Sequence, residues 1–260
     1  MTRDPGLWST TALVFVASAA GTILWCGSMS DGGMPMPGGW TMSMAWMRMP
    51  GQTWLAAAGS FLGMWVLMMV AMMLPSLTAM LAGYRRTLRR SQAHPPRLGI
   101  LTALAGAGCF LAWTLFGAAA YPLGVALAAA EMRWPALSRS VPVATGVILL
   151  LAGCLQLTAW KMRQLRCCRD APECWPPSPP EAGSALRVGL RLGRHCALCC
   201  SGYMTVLLVT GVMDLGIMFL IMAAITAERL FPRPEITARV AAAAVLVAGT
   251  LLIAASLGRA

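Results

Sequence analysis

Long uninterrupted apolar runs decide what this chain can become. A helix needs about 20 mostly apolar residues to cross a hydrocarbon core of about 30 Å, and at least five segments of the sequence meet that need. A soluble domain of similar length carries roughly 25% charged residues, whereas this chain carries 11% with 58% hydrophobic residues. The expected fold is all-α: a polytopic transmembrane helical bundle of about seven helices, within a range of six to seven. Residues 1–260 read as a single transmembrane domain with no added soluble unit.

Leu7–Cys26 is the first run. It ends Ile23-Leu24-Trp25-Cys26 instead of in the small residues of a cleavage site, so it reads as an uncleaved helix. Further helices are expected over Trp54–Tyr84, with Pro75 inside, over 98–127, over 141–160 and over 237–257. His195–Leu230 is too long for one crossing and reads as a hairpin broken near Met213-Asp214-Leu215-Gly216.

Charge orients this scheme. Nineteen of the 20 basic residues are Arg, and they fall in short segments between apolar runs. Arg85, Arg86, Arg89, Arg90 and Arg97 form one group, Lys161 to Arg194 a second, and Arg229, Arg233 and Arg239 a third. Basic loops face the cytoplasm, so the expected location is a bacterial inner membrane with the N-terminus inside. A net charge of +11 in this arrangement suits anionic lipid headgroups. It does not suit nucleic acid, because no basic patch is interleaved with aromatics.

Two loops stand out. Residues 27–53 are rich in Met, Gly and Pro and are expected to form a flexible, water-facing periplasmic loop. Residues 161–194 are rich in Cys and Pro and are expected to be cytoplasmic, where thiols stay reduced.

Sulfur supplies the candidate chemistry. Met29, Met34, Met36, Met42, Met44, Met47 and Met49 crowd into the outer loop. Thioether is a soft ligand suited to Cu(I), and it needs no deprotonation to bind. Met64, Met68 and Met72 follow at intervals of four on the second helix and share one face, with Met69 and Met73 beside them. The alternative for both groups is packing by an adaptable hydrophobe. His195, Cys196, Cys199 and Cys200 open the fifth helix, with Met204 one turn on, a competent soft-metal set. Cys167, Cys168 and Cys174 precede it and stand ready to complete or feed the site.

Asp214 and Glu228 lie at or near membrane depth, either as functional acids or as a turn residue and a partner of Arg229 or Arg233. Cys26, Cys109, Cys154 and His94 read as structural. No phosphate-binding glycine loop and no metallohydrolase His pair is present, which argues against an ATP-driven pump within the chain.

Three segments resemble a bacterial family described as predicted metal-binding integral membrane proteins, formerly a domain of unknown function. They are Met64 through Pro75; Gln156-Leu157-Thr158 with Lys161 and Cys168-Arg169; and Cys196-x-x-Cys199-Cys200 through Gly211-Val212-Met213-Asp214 to Glu228. The family pattern places Cys-x-x-x-Cys in the cytoplasmic loop. Here Gln164 stands at its first position and Cys168 at its second, with Cys167 as the neighbouring substitute. The resemblance implies copper supply to polyphenol-oxidase-type enzymes.

The expected function is therefore Cu(I) acquisition or delivery, without catalysis, through Met and Cys ligands. A copper enzyme or a periplasmic copper carrier would be its partner, apart from the lipid bilayer. Two rivals remain: a membrane thiol–disulfide oxidoreductase using Cys196 and Cys199, and a structural membrane subunit whose methionines only pack.

Overall fold

The computed structural model describes residues 5–29, 33–90, 95–169 and 179–258. Among these, helices α1 (Pro5–Met29), α2 (Trp54–Arg90), α3 (Pro95–Arg133), α4 (Pro135–Gln156), α5 (Ala159–Arg169), α6 (Ala182–Thr210), α7 (Leu215–Leu230) and α8 (Pro234–Leu257) account for nearly all of the structure. Six of them, all but α5 and α7, are long and apolar enough to cross a membrane.

The hairpin expected in 195–230 is present. Helix α6 ends at Thr210, where Gly211 takes a φ of +139° that disfavours any residue with a side chain. Asp214 then accepts a 2.9 Å hydrogen bond from the Ile217 backbone and caps α7. At 16 residues α7 rises about 24 Å, short of a full hydrocarbon core. Helices α2 and α3, at 37 and 39 residues, extend about 55 Å or more and outreach the bilayer. Pro75 lies within α2 without ending it.

Two ends of the bundle are distinct. At one end a short hairpin, Met34–Met36 against Trp40–Met42, lies beside the turn between α3 and α4. Trp40 Nε1 donates to the Ser138 carbonyl at 3.0 Å, and Ser138 Oγ donates to the Pro37 carbonyl at 3.0 Å. The loop expected to be flexible is thus folded against the bundle. At the other end a cleft gathers Arg86, Arg90, Arg169 and Arg229. The segment 161–194, expected as a loop, is helical in α5 and again from Ala182; residues 170–178, with Cys174 and most of the Pro-rich middle, lie outside the described residues.

Helices α3 and α6 pack most closely because small residues let their backbones approach. A Cβ on Gly193 would lie 2.7 Å from the Cys109 carbonyl oxygen. Gly189 sits equally tightly on Ala105. This approach carries Cys109 and the following turn of α6 to the same depth.

Candidate metal centre

Helix α6 points Cys196, Cys199, Cys200, Tyr203, Met204 and Leu207 inward, the i, i+3, i+4, i+7 pattern of a buried face. The three thiols are each 1% exposed. Cys196 lies beside Cys109 of α3 and Cys200, while Cys199 lies beside Cys168 of α5 and Cys200. Five free thiols from three helices therefore run in an unbroken chain: Cys109, Cys196, Cys200, Cys199, Cys168.

A guanidinium is embedded in this chain. Arg229 of α7 donates through Nη2 to Cys196 Sγ at 3.1 Å and to Cys200 Sγ at 3.2 Å. Its Nη1 donates to Ser76 Oγ at 3.0 Å and lies 3.8 Å from Met80 Sδ. Cys196 Sγ is 4.0 Å from Met73 Sδ of α2. A buried cation needs electron-rich partners, and Arg229 finds its own in sulfur. Among the described residues no three His, Cys, Asp or Glu side chains already stand at metal-site spacing.

Beside the thiols lies a second buried polar group. Lys161 Nζ pairs with Glu228 Oε2 at 2.8 Å and donates to Gln156 Oε1, while Tyr203 donates to Glu228 Oε1 at 2.6 Å. Arg169 donates to the Glu228 carbonyl at 2.6 Å. Glu228 thus pairs with Lys161, and not with the Arg229 or Arg233 that stood as one of its two alternatives. Asp214 is the exposed cap already described, at the turn of the hairpin.

The remaining candidates divide. Met64, Met68, Met72, Met69 and Met73 are all buried in the same core as the thiols, so they face the bundle and not lipid. Met204 is fully buried there too. His195 is half-buried, and its Nδ1 meets Gln164 Oε1 at 2.7 Å, so the position the family pattern gives to cysteine is tied to this imidazole. Cys167 is disulfide-bonded, contrary to the expectation of a reduced loop, and Cys168 beside it carries the free thiol.

In the outer hairpin Met36 and Met42 are buried against Ala128 with Trp40, Trp46 and Met47 around them. Met44 and Met47 are half-buried, and Met34 and Met49 are exposed. The side chain of Met29, like His94, lies outside the described residues.

Cys109 and Arg229 are the residues that sequence reasoning missed. Cys109 sits alone in an apolar run, and only the α3–α6 approach joins it to Cys196. Cys26 has a sulfur neighbour as well, Met213 Sδ at 3.9 Å, and Cys154 is exposed on α4.

Residues 62–252 match the model of the PpoB2 family, described as a copper chaperone. The match spans all five thiols, Arg229 and the methionines of α2, and it excludes α1 and the outer hairpin. Comparison with curated proteins and with solved structures gives no match. The greater part of the chain being covered, the protein belongs to the PpoB2 family of copper chaperones.

Proposed function

We propose that this copper chaperone carries its cargo as Cu(I) on the buried thiols of Cys196, Cys199 and Cys200, with Cys109 and Cys168 as the flanking donors. The chain of five free thiols, buried in the core with the thioethers of Met73 and Met80 close by, carries this reading. Soft ligands select Cu(I). A Cu(I) ion on two thiolates is a net anion, and Arg229 already stands where it would offset that charge.

The path to the centre runs along α2. Met64, Met68 and Met72 descend from the hairpin end toward Met73 and Cys196, so soft donors are available at each turn. Met42, Met44, Met47 and Met49 would collect copper at the hairpin. His195 would steady α5 against α6, and Met204 would lie below the thiols as a further thioether. The arginine-rich end faces the cytoplasm of a bacterial inner membrane, with the N-terminus on that side. The recipient is a copper enzyme of the polyphenol-oxidase type or a periplasmic copper carrier.

The oxidoreductase reading fits less well. Cys196 and Cys199 each neighbour Cys200 instead of forming an isolated pair, and both are buried. A redox dithiol must meet a partner disulfide, which needs access.

The test is copper analysis of the detergent-purified protein. The wild type retains Cu(I) against a competing chelator, and the Cys196→Ser/Cys199→Ser/Cys200→Ser variant does not. Equal retention by the two would overturn the proposal.

A further inference from the structure

A cleft of about 240 Å³ opens at the arginine-rich end and descends between α2, α5 and α7. One stripe of α2 forms its wall: Ser76, Ala79 with Met80, Gly83, Arg86 and Arg90, recurring about once per helical turn. Arg86 and Arg90 are exposed at the mouth, whereas Ser76 and Met80 are buried at the floor. From the opposite side come Cys168, Arg169 and Arg229. The cleft therefore joins the surface to one terminus of the thiol chain, Cys168, and to the guanidinium that touches Cys196 and Cys200.

Its electrostatics are unsuited to a bare cation. Four arginines line it, Arg86, Arg90, Arg169 and Arg229, and among the described residues no carboxylate side chain does. Among the described residues the neighbouring acid, Glu228, has its carboxylate engaged by Lys161 and Tyr203. A cleft of one sign concentrates ligands of the other, yet its floor is a soft thiol that has no use for a hard anion. An anion with a soft metal at its head satisfies both ends.

We propose that this cleft is the port through which copper passes between solvent and the buried thiols as an anionic Cu(I)–thiolate complex of a small carboxylate-bearing thiol, the guanidiniums holding the carboxylates while Cys168 takes the metal. The proposal rests on the reading of the thiols as the Cu(I) site. The exchange is balanced and involves no change of oxidation state. Two bonds from copper to carrier sulfur break and two to protein sulfur form, while the protons of two protein thiols pass to the departing carrier thiolates. Release toward a carrier is the same exchange reversed.

The experiment uses the full chain in detergent and follows Cu(I) transfer by stopped-flow from two donors, Cu(I)–glutathione and Cu(I)–cysteamine. These present copper on the same kind of sulfur with opposite peripheral charge. At low ionic strength the wild type accepts copper from the glutathione complex about tenfold faster, a preference that salt erodes. In the Arg86→Gln/Arg90→Gln variant the ratio of the two rates falls toward one. S-methylglutathione, anionic but unable to hold copper as a thiolate, slows transfer from Cu(I)–glutathione.

Equal rates from both donors in the wild type, or a ratio unchanged in the double variant, would overturn the port. A wild type that holds no Cu(I) against a chelator would instead remove the thiol site, and the port with it.

Discussion

Arg229 donates from a single nitrogen to Cys196 at 3.1 Å and to Cys200 at 3.2 Å, so the guanidinium of α7 is locked onto the thiol pair of α6. Its Nε has no hydrogen-bond partner although buried, a further sign that sulfur is what holds it there. The arrangement brings a positive charge to the thiols from a helix that contributes no thiol of its own.

Replacing Arg229 with Met therefore leaves any copper–thiolate anion without its counter-charge. Groups that support metal ligands from behind typically change affinity 10–100-fold, and a loss of about that size is expected for Arg229→Met. Arg229→Lys keeps the charge but not the two-sulfur reach, and falls between. Competition titration with a Cu(I) chelator measures both.

Lys161 and Glu228 form a buried ion pair, each 2% exposed or less on its side chain. Removing one partner strands the other in a medium of low dielectric, at a cost of about 3–5 kcal/mol. Lys161→Met and Glu228→Gln should each lower the thermal midpoint in detergent sharply. The double variant should recover part of the loss, which a thermal-shift series would show.

Gly193 faces the Cys109 carbonyl with no room for a side chain. Gly193→Leu must separate α3 from α6, an overpacking change that typically costs 1–3 kcal/mol or more. Because the same approach aligns Cys109 with Cys196, Cu(I) affinity should fall together with stability. Cys109→Ser, which leaves the packing intact, should lower affinity alone.

Thiols must lose protons to bind metal, whereas thioethers need not. If the thiols hold the copper, Cu(I) affinity rises with pH, since each displaced proton is released more readily at higher pH. In a variant lacking Cys196, Cys199 and Cys200, any residual binding by Met42, Met44, Met47 and Met49 should be independent of pH. Titrations against a chelator of known pH behaviour separate the two.

The helices were legible in the sequence because apolar run length is a local property. The break at Gly211–Asp214 was legible too, since 36 apolar residues cannot cross once. The seventh crossing was not settled by the same logic, because α7 is only 16 residues long and its burial comes from neighbours. Cys196, Cys199 and Cys200 announced themselves by spacing on one helix. Cys109 and Arg229 did not, because their roles arise from contacts among α3, α6 and α7, far apart in sequence.

The outer hairpin was misjudged for a related reason: Gly and Pro argued for a flexible loop, but Trp40, Ser138 and the turn between α3 and α4 give it partners. Lys161 carried an overlooked signal. It is the sole lysine of the chain, and its lateral partner Glu228 was visible as an acid at membrane depth.

The central claim is that copper rests on cysteine sulfur in the core of α3, α5 and α6. X-ray absorption at the copper edge of the Cu(I)-loaded protein tests it most directly. The account predicts a first shell of sulfur alone in the wild type, and loss of that spectrum in the Cys196→Ser/Cys199→Ser/Cys200→Ser variant. A shell dominated by nitrogen or oxygen, or a sulfur shell unchanged in the triple variant, would contradict it.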